Sequence, residues 1–136
     1  MPDYFSRFCC VLDVRTIENA LDASDIHRKP QGPTHAFPWS DRFVLTSDPD
    51  QAGILYIEDG GSGDVEGVVE FVLMCARRFD LAGFWGFQYA NTCSHSRIDG
   101  FGGGAYLLNL TTRETVSWIG THEWLEDLHT GGAAHA

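Results

Sequence analysis

Residues 105–120, AYLLNLTTRETVSWIG, decide the fold. Aromatic, β-branched and aliphatic residues fill both ends, as strands require, and the polar TTRE between them is short enough only for a tight turn. Two strands joined this way run antiparallel. GFWGFQYA (83–90) reads as another strand by its aromatic content. The segment between, NTCSHSRIDGFGGG (91–104), reads as an inter-strand loop that ends in a glycine bend or close backbone approach. Downstream, Thr121 can cap a short helix HEWLEDLH, with Glu123 favourable in its first turn, and residues 130–136 form a fraying small-residue tail.

Working further outward, Asp64 to Phe79 is the clearest helix. Val65, Val68, Val69, Val72, Cys75, Ala76 and Phe79 recur at i, i+3, i+4 and i+7, Asp64 can cap the first turn, and Arg77 and Arg78 suit the last. RFVLTS (42–47) and GILYIED (53–59) read as a hairpin around DPDQ. Residues 27–41 hold Pro30, Pro33, Pro38 and Gly32, so they form a long surface loop. Before it, Ile17, Ala20 and Leu21 mark a short helix starting near Thr16 and fading near Ser24. Tyr4 to Val14 reads as one strand, with Tyr4, Phe8, Cys10, Leu12 and Val14 on one face.

Helices do not alternate one for one with strands, and the last strands are joined tightly. The expected fold is therefore α+β, one domain over 1–136, with a mostly antiparallel sheet of about five or six strands, two main helices and a short C-terminal helix. A chain of 136 residues, 43% hydrophobic and 21% charged, is large enough to bury one core.

Charge is the strongest global signal. There are 19 acidic against 9 basic residues, a formal net charge of −10. Such a surface repels a phosphate backbone, so direct nucleic-acid binding is disfavoured. From Asp48 to Glu70 the chain carries Asp48, Asp50, Glu58, Asp59, Asp64, Glu66 and Glu70 and no basic residue, which predicts a patch of one sign. No signal-like leader and no apolar run near ~20 residues appear, so a cytoplasmic protein without membrane contact is expected. The four cysteines make no disulfide framework.

The loop 91–104 holds the most varied chemistry. Its triple glycine precedes a strand rather than a helix, which disfavours a phosphate loop. Cys93 and His95 are spaced too closely for the usual zinc pair, and His27, His35, His122 and His129 supply no second clustered pair, so no metal and no cofactor are expected. Cys93 has the residue types for a nucleophile, with His95 or His122 as base and Asp99 or Glu123 as orienter, but no signature frames it. Adjacent carboxylates at Glu58–Asp59 and Glu126–Asp127 are not the facing pair of a glycosidase. Phe84, Trp85, Phe87, Tyr89, Tyr106, Trp118 and Trp124 read mostly as core, with one or two left to line a pocket.

Two function classes follow. The first is a non-enzymatic protein-binding module whose acids, together with Asn91, Arg97 and Asp99 on the loop, meet a basic partner surface. Its sharper form is a nucleic-acid mimic that inhibits a nucleic-acid-binding protein, in the manner of anti-restriction or anti-CRISPR inhibitors. The alternative is a small enzyme or small-molecule binder around Cys93, His95, Asp99 and His122.

Overall fold

The computed structural model describes residues 4–29, 39–48, 50–60, 63–93 and 102–130, with the backbone alone at Tyr4, Phe5, Thr92, Cys93, His122, His129 and Thr130. The fold is α+β, as the sequence predicts, but the seven strands among the described residues form two antiparallel sheets rather than one. The strands are β1 (Tyr4–Arg7), β2 (Cys9–Asp13), β3 (Val44–Ser47), β4 (Ile54–Glu58), β5 (Phe84–Cys93), β6 (Gly102–Asn109) and β7 (Glu114–Gly120). One sheet has the order β1-β5-β6-β7 and the other β2-β4-β3.

The predicted first strand is split at Phe8. Its N-terminal part pairs with β5, from Tyr4 opposite Cys93 to Arg7 opposite Ala90. Its C-terminal part pairs with β4, from Cys9 opposite Glu58 to Asp13 opposite Ile54. Phe8 lies at the crossing, buried, with its ring edge-on to Phe87 at 6.0 Å. Its backbone N–H, taken out of the ladder by the crossing, donates to Asp59 Oδ1 at 2.9 Å, and its carbonyl accepts from the Asp59 N–H at 3.2 Å. Period-two alternation survives across the break, since Phe8, Leu12 and Val14 are buried and Cys10 half-buried.

Three helices accompany the sheets. In α2 (Val65–Phe79), Asp64 accepts from the Gly67 N–H at 3.0 Å as N-cap, and Val68, Phe71, Val72, Cys75 and Ala76 are fully buried. At its C-terminal end Asp80 takes the left-handed conformation (φ 52°), and Arg113, from the β6–β7 turn, donates to the Ala76 carbonyl at 3.3 Å and to Asp80 at 2.9 Å. Arg113 thereby adds a further donor to a carbonyl that already accepts from the Asp80 and Leu81 N–H groups at the helix end.

The helix α1 runs Ile17–Arg28, capped by Thr16, and so takes in the start of the expected proline-rich loop. Its buried face is Ala20, Ala23 and His27, while Ile17 and Leu21 are 47% and 60% exposed. The face is therefore rotated from the expected Ile17–Ala20–Leu21 stripe. Small alanines let the helix approach closely, and His27 is accepted into the core because its Nε2–H donates to the Phe43 carbonyl at 2.8 Å. Around it Trp39, Phe43 and Phe71 pack edge to face, with His27 and Phe43 centroids 4.8 Å apart. The short helix α3 (Thr121–Thr130) follows β7 directly.

Candidate binding surface

The acidic run does not form the unbroken patch that its sequence implies. Asp48 folds back to accept the Asp50 N–H at 2.9 Å, a turn-stabilising role. Asp59 serves Phe8 and lies 3.6 Å from the Arg7 guanidinium. Asp64 caps α2 and lies 3.5 Å from Arg42, whose other nitrogen is 3.5 Å from Glu70. Arg7 and Arg42 are outside the run in sequence, and antiparallel pairing brings them into it. Asp50, Glu58 and Glu66 are exposed and make no ion pair among the described residues. Asn91 accepts from Ser6 Oγ at 3.0 Å across the β1–β5 pairing. His95, Arg97 and Asp99 lie outside the described residues, as do the side chains of Cys93 and His122.

A different surface emerges at the other end of the larger sheet. Phe87, Tyr89, Tyr106 and Trp118 tile one face of β5, β6 and β7. The centroid of Tyr106 lies 5.8 Å from Phe87, 6.2 Å from Tyr89 and 6.0 Å from Trp118. Burial falls steadily across the tiles. Phe87 is buried, Tyr89 and Tyr106 are half-buried, and Trp118 is 49% exposed. The Trp118 indole N–H reaches over β6 to donate to the Tyr89 hydroxyl at 2.8 Å. Gly104 makes that bond possible, because a Cβ there would stand 2.6 Å from the Tyr89 oxygen.

Most of these rings were expected in the core: Phe87 is buried there, and Trp85, Tyr89 and Tyr106 are half-buried against it. Phe84 (69% exposed) and Trp124 (50%) are as open as Trp118. The reason lies in the layer geometry: the core ends near Leu108 and Phe87, and β7 is an edge strand exposed along nearly its whole length. Thr121 Oγ1 donates to the Gly103 carbonyl at 3.1 Å and fixes the start of α3 against β6. Trp124 and Leu125 nevertheless stay half exposed. Val116 and Ile119 are also exposed on β7, Ile119 on the opposite face of the sheet from Trp118.

The segment that carries Trp118 and Trp124 is acidic. Residues 114–130 carry Glu114, Glu123, Glu126 and Asp127 and no Lys or Arg. Glu123 lies over Gly120 and beside Trp118, since a Cβ on Gly120 would collide with its Oε2 and stand 3.5 Å from Trp118 Cζ2. The Tyr106 hydroxyl titrates above its ordinary value through burial first, then the neighbouring Tyr89 and the charge of Glu66. The legible signal for this surface was the missing positive charge from 114 to 130 around Trp118 and Trp124.

Two grooves lie where β2 and β5 diverge beyond Phe8. The larger, about 510 Å³, is lined by Arg7, Cys9, Cys10, Phe87, Gln88 and Tyr89. Burial, with a smaller contribution from Cys9, pushes the Cys10 thiol up to about 12, so it holds its proton at neutral pH and is no nucleophile. The smaller, about 230 Å³, lies beyond the Trp85 indole, which bridges the strands by donating to the Val11 carbonyl at 2.8 Å. Among the described residues no group of three or more His, Cys, Asp or Glu could hold a metal ion, and no helix is long and apolar enough to cross a membrane. No protein-family model matches the chain, and neither a curated protein nor a solved structure matches it.

Proposed function

We propose that this protein is a non-enzymatic binding module that docks on a basic surface of a protein partner through β7 and α3. The observation that carries this reading is the joint exposure of Trp118 and Trp124 within a segment that bears four carboxylates and no Lys or Arg. Exposed aromatic anchors supply contact area at interfaces, and a rim of one charge sign sets association rate and partner choice. The free acids Asp50, Glu58 and Glu66 add to the field, whereas Asp48, Asp59 and Asp64 have structural tasks. The cytoplasmic setting remains part of this proposal.

A nucleic-acid mimic that inhibits a nucleic-acid-binding protein is the sharper form of the same reading. One experiment addresses both. Partners captured from the native host are compared between the unaltered protein and a Glu123→Gln, Glu126→Gln, Asp127→Asn variant, at rising salt and with added duplex DNA or RNA. Loss of a partner in the variant and at high salt supports the module, and competition by nucleic acid supports mimicry. A salt-insensitive partner list shared by both proteins would sink the proposal. The catalytic alternative around Cys93, His95, Asp99 and His122 has no observation among the described residues in its favour.

A further inference from the structure

We propose that Tyr89, Tyr106 and Trp118, with Glu123 beside them, form a seat for an arginine side chain of the partner; this inference rests on the binding-module reading above. A ring face carries the negative end of the aromatic quadrupole, so an open ring next to carboxylates attracts a cation twice over. The three rings span two centroid gaps of 6.2 and 6.0 Å, with planes tilted by 37° and 38°. That makes a shallow floor, suited to a planar guanidinium that stacks while its edge N–H groups reach a carboxylate. A lysine ammonium is compact and strongly hydrated and uses such a floor less well.

Two features hold the floor in place. The Trp118–Tyr89 hydrogen bond locks the two outer rings together across Gly104, so little ordering is left for binding. Glu123 is kept beside the indole by the absence of a side chain at Gly120. Charge selects the occupant: Glu123 is exposed, makes no ion pair among the described residues, and belongs to a chain of net charge −10. The phosphates of a nucleotide or sugar phosphate are repelled from the same floor, which separates this platform from those that bind single-stranded nucleic acid.

The test is a titration of isotopically labelled protein with three acetylated, amidated hexapeptides, one each of arginine, lysine and citrulline, following the Trp118 indole N–H by NMR. The arginine peptide is expected to move that resonance, the lysine peptide to do so several-fold more weakly, and neutral, isosteric citrulline not at all. Trp118→Leu, titrated through the backbone amides of β6 and β7, should weaken arginine-peptide binding about tenfold, and Glu123→Gln by several-fold, with the remaining spectrum reporting an intact fold. A lysine peptide that binds as tightly overturns the arginine assignment, and a citrulline peptide that binds as tightly overturns the cation seat. If backbone amides of α3 respond while the Trp118 indole does not, the seat fails and the binding module stands. If no resonance responds to any peptide, both fail.

Discussion

Asp59 and Phe8 are joined twice, the carboxylate accepting the Phe8 N–H at 2.9 Å and the Phe8 carbonyl accepting the Asp59 N–H at 3.2 Å. This pair closes the backbone hydrogen bonds at the residue where the chain passes from one sheet to the other. Asp59→Ala leaves the Phe8 N–H without its acceptor and should cost about 1–3 kcal/mol of stability, read from the denaturant midpoint. Asp59→Asn keeps an acceptor oxygen and should cost less. Partner binding should survive both, because this carboxylate faces inward to the fold.

His27 should make the protein acid-sensitive. Burial holds its pKa below 6.5, opposed by the Phe43 carbonyl and helped by Arg28. A group with a depressed cationic pKa is protonated first in the unfolded chain, so its contribution is complete above pH 6.5 and is lost as pH falls toward the folded value. Urea midpoints measured at pH 7.5 and 5.5 should therefore differ more in the unaltered protein than in His27→Leu. Equal differences in the two would show that His27 does not report pH.

The glycines of β6 should differ sharply from one another. A Cβ on Gly104 would meet the Tyr89 hydroxyl and the Ile119 carbonyl, whereas one on Gly102 has only Thr121 Oγ1 at 3.7 Å. Gly104→Ala is expected to cost about 1–3 kcal/mol and to shift the Trp118 indole resonance as its bond to Tyr89 breaks. Gly102→Ala should stay within about 0.5 kcal/mol of the unaltered protein. Thermal or chemical unfolding of the pair tests this directly.

Trp124 should matter for binding and hardly at all for folding. Half of it is exposed on α3, so Trp124→Ser should change the unfolding free energy by less than about 1 kcal/mol while weakening capture of a basic partner. A large loss of stability would mean that the ring belongs to the core.

The sequence made the helix at 65–79 legible because its apolar period, acidic cap and basic last turn agree. The pairings β3–β4 and β6–β7 were legible for the same reason: turn residues sit between runs of strand type. The break at Phe8 was not, because alternation continues unbroken through a change of pairing partner and only the partner reveals it. The buried face of α1 was missed since alanine and histidine carry little hydropathic weight, although a helix pressed against aromatic rings needs small or hydrogen-bonded residues there. The acidic run misled because charge counted along the chain omits Arg7 and Arg42, which reach it through space. The exposed rings were misplaced since aromatic content shows what a chain can bury, while the extent of the covering layer decides what it does bury.

The edge strand β7 has a further consequence. Its seven residues, ETVSWIG, contain no proline and no lysine, the usual guards against pairing with another chain. Mutual repulsion from a formal net charge of −10 opposes such pairing of two molecules along this seam. As pH falls toward the sequence pI near 4.8, that repulsion vanishes while the unpaired backbone groups remain. Acidification should thus drive self-association by strand addition at β7, and its onset should move when a single lysine replaces Val116.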